Sequence, residues 1–189
     1  SSYLPMDEDH PFNNRTYYGA GKIANEQMVR SFKEMYGLKY VGLRYFNVYG
    51  PRMDIYGYYT EVMIKWLDKI DKNESPVIFG DGEQAMDFIY VEDIARANIL
   101  ALESDIEEGI YNIGTGFMSS LNDLVKNMLE LTNPNLKPVY KEPEKLLIVS
   151  KRKAEITKAK KDLGFESKIS LREGLKKLIE WRKVQHERN

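Results

Sequence analysis

The 189-residue sequence predicts an α/β fold, and the patterning of its apolar residues supports that prediction. Segments with helical periodicity alternate along the chain with short β-branched and aromatic runs, which is the arrangement typical of α/β proteins. Two capping boxes, Ser120–Asp123 and Ser170–Glu173, mark the starts of helices. We therefore expect strands and helices to follow one another through most of the chain.

The individual elements can be placed in chain order. The residues up to Thr16 are polar and include prolines, so we expect a loop there. Apolar residues then recur at helical spacing from Tyr17 to Tyr36, and Gly37 can end that helix. The remaining predictions are a buried strand at 40–45, a loop at 47–57, a helix at 59–70, a strand at 76–79, a turn at 80–82, a strand at 87–91, a helix from 92 through 101, a strand at 110–113 and the two capped helices.

The composition excludes several classes of site. The chain has no cysteine and only two histidines, near opposite ends, so neither a thiolate nor a histidine metal site is expected. The acidic run at 7–9 has no spacing that directs its carboxylates to one cation, and we expect a solvated loop without metal. No segment is long and apolar enough to span a membrane, and the first residues lack a signal-peptide pattern. A cytoplasmic protein without a membrane partner is the expectation.

The C-terminal part is basic. Residues 145–189 contain 14 Lys and Arg against 6 Asp and Glu, and such a segment can bind nucleic acid. Leu171, Leu175 and Leu178 recur there at helical spacing, however. The charges are therefore expected to form the solvent side of an amphipathic helix, and no nucleic-acid partner is expected.

One pair of residues suggests proton-transfer chemistry. Tyr18 and Lys22 lie four positions apart and would share one face of the predicted helix. A neighbouring ammonium favours the phenolate form of tyrosine, which can then act as a base near neutral pH. In a chain with 13 tyrosines, chance alone supplies about one such pair, so the pair needs support from other motifs.

Further motifs accompany this pair in a fixed order. They are Pro5, Asp7–Pro11, Thr16, Tyr18-Gly19-Ala20, Lys22, Glu26, Tyr36-Gly37-Leu38, Arg44–Arg52, Phe79–Gly82, Asp87–Val91, Asp93, Tyr111–Gly114 and Leu163-Gly164-Phe165. In this order they resemble the extended short-chain dehydrogenase/reductase family, over almost the whole chain from Tyr3 to Trp181. Within that family the sequence looks like NAD-dependent nucleotide-sugar epimerases and dehydratases of the UDP-glucose 4-epimerase type.

The resemblance implies a domain organisation. Residues 1–50 would be the C-terminal elements of a Rossmann-like domain that binds NAD. Residues 51–189 would form mainly a small α/β lobe that binds the nucleotide sugar, with 87–113 returning to the Rossmann-like sheet. The family's Gly-rich phosphate loop, its ribose-binding acid and the Ser or Thr that assists the tyrosine are not found. We therefore expect the chain to begin within the first domain and to be inactive alone.

The glycines at 114–116 do not replace that loop. They lie between a predicted strand and a predicted helix, but the third glycine position is Ser119 and no acidic residue stands about twenty residues later. We interpret this segment as a turn at the end of a strand.

The resemblance also implies roles on the cofactor side of a site. Tyr18 would be the catalytic acid/base, and Lys22 would orient the nicotinamide ribose while tuning Tyr18. Tyr45 and Phe46 would line the nicotinamide side of the cleft.

On the substrate side, the resemblance implies that Asn47 would hydrogen-bond the nucleotide sugar. Ile78 and Phe79 would flank the nucleotide base. Lys151 and Arg152 align with a basic pair of the family and are candidates for the diphosphate, since charge-assisted bonds suit that group. Ordinary solvated surface charge is the alternative for this pair.

Two positions depart from the family pattern. Many relatives carry an arginine that holds the diphosphate two residues before the phenylalanine of Asp-Phe, and Met86 stands there in this chain. A thioether has no hydrogen to donate, so another residue must hold the phosphate. Glu155 stands where aspartate is usual, which is a smaller change.

Three functions remain open from the sequence. The first is epimerisation at C4 of a UDP-sugar through a transient 4-keto intermediate. The second is a 4,6-dehydratase, UDP-glucuronate decarboxylase or reductase reaction of the same family, and the third is a non-catalytic substrate-binding fragment. A homodimer through the helix at 17–36 is possible, although Ile23, Met28 and Phe32 could equally face the core.

Overall fold

The computed structural model describes residues 1–54, 62–143 and 151–186. The elements in chain order are α1 (Tyr17–Tyr36), β1 (Tyr40–Tyr45), β2 (Asn47–Tyr49), α2 (Val62–Asp71), β3 (Val77–Phe79), β4 (Ala85–Met86), β5 (Phe88–Tyr90), α3 (Val91–Glu103), β6 (Glu108–Ile113), β7 (Ser119–Ser120), α4 (Leu121–Leu131), β8 (Val139–Lys141), β9 (Lys151–Arg152), α5 (Thr157–Leu163) and α6 (Leu171–His186). The α/β prediction is confirmed.

Helix α1 has the predicted bounds because both of its ends carry capping residues. The hydroxyl oxygen of Thr16 accepts a hydrogen bond of 3.1 Å from the N–H of Gly19. At the other end Gly37 adopts the left-handed conformation, with φ 68°, and its N–H donates to the carbonyl of Lys33. Helix α4 likewise begins with the complete capping box of Ser120 and Asp123.

Two parallel strand pairs join the beginning of the chain to its middle. Strand β1 pairs with β6 from Tyr40 opposite Glu108 to Tyr45 opposite Ile113, and β2 pairs with β5. The prediction of a loop from residue 47 is thus wrong at its start, because 47–49 form β2 by pairing with a strand about forty residues away. Strand β1 is half-buried rather than buried, since β6 is its only partner among the described strands.

The core has two parts, which we call core A and core B. Core A joins helices α2, α4 and α6 to Phe88 and Tyr90 of β5. Core B joins α3, β6 and α5 to Ile89 of the same strand. Alternate residues of β5 therefore point into different cores, as the two-residue repeat of a strand requires. The division of the chain at residue 50 stays a prediction.

Short strands build two further small sheets. Strand β3 pairs in parallel with β8, and β4 lies between β7 and β9. In the three-stranded sheet, Met86 has Ser119 as its register partner on one side and Arg152 on the other. Residues 151–152 thus lie beside Met86, where the sequence departs from the pattern of the family that it resembles. In 1–54, 62–143 and 151–186, none of the helices has the length and apolar content that crossing a membrane requires.

Candidate active site

Helix α1 presents Tyr18 and Lys22 on its first turns. The ammonium of Lys22 lies 5.3 Å from the centre of the Tyr18 ring, and 75% of Tyr18 is exposed. Only residues 37–39 join α1 to β1, so the helix runs back along the strand in the opposite direction. The start of α1 therefore lies at the end of the sheet where β1 finishes.

The ion pair between Arg44 and Glu26 locates Tyr18 along the direction of strand β1. Arg44, near the end of β1, bonds both carboxylate oxygens of Glu26 at 2.7 and 2.8 Å. Tyr18 precedes Glu26 by eight residues, which is about 12 Å along a helix axis. The residues that follow Arg44 advance in the same direction by about 3.3 Å each. Tyr18 and Asn47 thus lie near the same end of the sheet.

At the end of β1, neighbouring side chains point to opposite faces of the strand. The hydroxyl of Tyr45 donates to the side-chain oxygen of Asn98 in α3 at 2.9 Å, whereas the neighbouring Arg44 side chain contacts α1. Tyr45 therefore projects from the face of β1 opposite to α1. Phe46 is half-buried, and its N–H donates to the carbonyl of Ile113 at 3.0 Å. Their contacts with nicotinamide stay predictions.

Asn47 contacts Met86, the residue that departs from the family pattern. Its side-chain nitrogen lies 3.0 Å from the sulfur of Met86. Residues in register on neighbouring strands point to the same face, so Arg152 shares the face of Met86 while Lys151 shares that of Ala85. The two basic residues that the sequence treats as a pair thus project from opposite faces of β9. Arg152 is the one placed beside Met86 and Asn47.

Asp87 binds the backbone next to Asn47, Met86 and Arg152. That role was not identified from the sequence. Asp87 is fully buried and accepts four hydrogen bonds, from the N–H and hydroxyl of Thr115 and the N–H groups of Gly116 and Ala154. Its own carbonyl accepts from the N–H of Asn47 at 3.0 Å. Burial raises the pKa of this carboxyl, and the four donors oppose that shift. The sequence signal that could have indicated this buried role is an aspartate directly before the apolar run Phe88–Tyr90.

The base-binding candidates on β3 differ in exposure. Ile78 is 1% exposed and belongs to core A, so its side chain cannot flank a base. Phe79 is 38% exposed and is the side chain of this pair that a ligand can reach. The alternation of strand side chains explains the difference. Only the main chain of Ile78 could therefore contact the nucleotide base.

The acidic run at 7–9 is not simply a solvated loop, which corrects that expectation. The carboxylate of Glu8 accepts a 2.7 Å hydrogen bond from the N–H of Asn112, and its carbonyl accepts one of 2.7 Å from Arg44. The segment thus docks against β6. Among the described side chains, no three acidic or histidine residues form a group that could hold a metal ion.

Comparison with known proteins identifies relatives of this chain. Residues 2–114 match the NAD dependent epimerase/dehydratase family. The chain is 40% identical over 186 residues to a putative UDP-glucose 4-epimerase of Methanocaldococcus jannaschii, covering 96% of this chain and 58% of the relative. It therefore spans little more than half the length of this curated relative.

Solved structures agree with this match. UDP-glucose 4-epimerase from Thermotoga maritima, solved with UDP-glucose, is 41% identical with a TM-score of 0.90, over 97% of this chain and 59% of that one. UDP-N-acetylglucosamine 4-epimerase from Methanobrevibacter ruminantium, in complex with UDP-N-acetylmuramic acid, is 36% identical with a TM-score of 0.91, over 98% and 59%. These matches confirm the resemblance that the motifs indicated. The chain belongs to the NAD-dependent epimerase/dehydratase family.

Proposed function

We propose that the full-length protein interconverts C4 epimers of a UDP-sugar, with NAD as its cofactor. The observation that carries the proposal is the exposed Tyr18–Lys22 pair, which lies at the same end of the sheet as Asn47. The family match and the similarity to proteins named UDP-sugar 4-epimerases support it. Exposed Tyr18 and Lys22 fit the nicotinamide end of NAD, whereas a Gly-rich pyrophosphate loop is not found in these 189 residues.

The chemistry divides between substrate and protein. Tyr18 would remove the proton from the C4 hydroxyl of the sugar. NAD, held at its nicotinamide ribose by Lys22, would supply reversible hydride acceptance at C4. The product of the first step is a 4-keto sugar, which rotates in the site before it is reduced on its other face. Tyr18 then gives the proton back to the C4 oxygen. No net oxidation results, and the sugar keeps its mass.

The remaining side chains would hold the substrate. Asn47 would hydrogen-bond the sugar nucleotide, Arg152 would bind its diphosphate, and Phe79 would contact the base. Lys22 would hold the nicotinamide ribose. In this proposal the C4 carbon would lie between helix α1, which supplies the proton acceptor, and the strands whose residues would hold the diphosphate.

The direct test is an assay of the full-length protein with UDP-glucose and with UDP-N-acetylglucosamine. We expect NMR to show the C4 epimer of at least one sugar, and mass spectrometry to show no change in mass. Loss of water or carbon dioxide would instead indicate a dehydratase or decarboxylase, and net use of a reduced cofactor would indicate a reductase. The 189 residues alone should show no turnover, and measurable epimerisation by them would contradict that expectation.

The Met86 position gives a prediction about affinity. Met86→Arg places a guanidinium beside Arg152, so we expect UDP to bind the full-length protein about 5- to 10-fold more tightly. Arg152→Gln should weaken UDP binding about 10-fold, and Lys151→Gln should weaken it less because Lys151 projects from the other face. Titration calorimetry with UDP measures all three. Lys126→Gln, an exposed change on α4, is the control, and equal losses for Lys151→Gln and Arg152→Gln would refute the assignment.

We also propose that α1 packs against a second copy in a homodimer. None of its residues is buried, and Met28, Phe32 and Met35 are 57%, 47% and 69% exposed. Ile23 is instead half-buried, on the side that faces the sheet. Sedimentation of the full-length protein should give a dimer, and Met28→Glu should shift it to monomer. A monomeric starting protein would reject this proposal.

A further inference from the structure

The guanidinium of Arg44 joins three separate parts of the chain. It bonds both carboxylate oxygens of Glu26 in α1 and the carbonyl of Glu8 in the N-terminal segment. It also lies 5.2 Å from the centre of the Phe12 ring. The side chains of Arg44 and Glu26 are only 21% and 18% exposed. A bidentate pair of this kind fixes direction as well as distance, unlike a flexible surface ion pair.

The N-terminal segment that Arg44 contacts is itself attached to strand β6 and to the residues that follow β9. We call residues 6–8 the brace. Besides the bond from the N–H of Asn112 to Glu8, the side chain of Asn112 donates to the carbonyl of Met6 at 2.9 Å. The N–H of Met6 donates to the carbonyl of Lys153 at 2.8 Å, and the N–H of Glu155 donates to the carbonyl of Met6 at 2.8 Å. The brace therefore connects β6 to the segment that directly follows β9.

These contacts form one continuous path between the two sides of the candidate site. At one end is α1, which carries Tyr18, and at the other is Arg152, the neighbour of Lys153. Arg44 lies where α1 meets the brace. We propose that Arg44 is a positioning residue that sets the place of Tyr18 relative to the bound diphosphate of the substrate, a role that rests on the proposed epimerase function.

Because of this path, a substitution of Arg44 should affect turnover and substrate binding unequally. The bonds of Met6 and Glu8 to Asn112, Lys153 and Glu155 do not involve Arg44, so the brace and Arg152 should keep their places. Helix α1 loses its bidentate attachment, and the start of the helix is free to shift. A shift of about 1 Å at a reacting group can cost up to 100-fold in rate. Turnover should therefore suffer much more than substrate binding.

The test compares variants of the full-length protein. We expect Arg44→Gln to lower kcat for the UDP-sugar about 10- to 100-fold, with KM changed less than about 3-fold. Glu26→Gln, a milder change, should act in the same direction, and the double variant should be no worse than Arg44→Gln because both remove one interaction. Lys33→Gln removes an ion pair to Glu107 near the other end of α1 and should leave both constants unchanged.

Two further measurements separate positioning from loss of folding and from failure of the proposed function. Arg44→Lys should restore the melting temperature more than kcat, since lysine keeps the charge but cannot form the bidentate pair. If the unmodified protein turns over no UDP-sugar, the proposed function fails, and hydrogen exchange then decides the positioning role. Arg44→Gln should speed exchange in the first turns of α1 and leave that of Asn112 unchanged. An unchanged α1, or equal effects on kcat and KM, would overturn the inference.

Discussion

Tyr18→Phe should lower kcat of the full-length protein about 100- to 10,000-fold, the range that a positioned acid/base group contributes. The substitution removes only the hydroxyl, so the ring that lies 5.3 Å from the Lys22 ammonium stays in place. Binding of UDP and of NAD should change little. A steady-state assay gives kcat and KM, and calorimetry with UDP gives the affinity separately.

The chain provides a matched control for this variant. Tyr17 is the neighbouring tyrosine and is fully exposed, and Tyr17→Phe removes the same atom from the same turn of the same helix. We expect it to keep nearly all activity. If Tyr17→Phe and Tyr18→Phe lose activity equally, or if Tyr18→Phe keeps more than about a tenth of kcat, Tyr18 is not the proton acceptor.

Asp87→Asn should lower the free energy of unfolding by about 2 to 4 kcal/mol. The amide can still accept the two bonds from Thr115 on one oxygen, but its nitrogen is a donor and would face the N–H groups of Gly116 and Ala154. The N–H groups of buried Ala154 and half-buried Gly116 would thus lose their acceptor. Urea unfolding measures the change. The exposed Asp105→Asn should cost less than about 0.5 kcal/mol, and a similar cost for both would contradict the role of Asp87.

The same variant also tests the direction of a pKa shift. Because burial raises the pKa of Asp87, the folded chain binds a proton there at a higher pH than the unfolded chain does. The stability linked to this group is fully present below its unfolded pKa and is lost as pH rises through the folded pKa. The difference in stability between the unmodified protein and D87N should therefore be larger near about pH 4 than near about pH 7.

Local signals predicted most of the helices, although α5 at 157–163 was not predicted. The bounds of α1 and the start of α4 follow from capping residues that lie within a few positions of each end, and these interactions need nothing else from the fold. Strand β2 was missed for the opposite reason. Gly50-Pro51 indicates a loop, and the partner that makes 47–49 a strand is β5, about forty residues later.

The residues of the candidate site stay predictions from the ordered motifs, and their spatial arrangement could not be predicted from the sequence. The ordered motifs indicated Tyr18 and Asn47, yet nothing local indicates that Arg152, rather than Lys151, shares a face with Met86. That depends on the register between two-residue strands, which have too few positions for a readable period. The docking of Glu8 was missed because its partners Arg44 and Asn112 are 36 and 104 positions away.

Strand β5 is only three residues long, yet its residues contribute to both cores, with Phe88 and Tyr90 in core A and Ile89 in core B. Sliding this strand by one position would push each of these side chains towards the wrong core at once. Neither core can therefore loosen around β5 without disturbing the other. The two cores should melt as one cooperative unit, and the segment beside Asp87 that positions Asn47 should remain ordered until that unit unfolds.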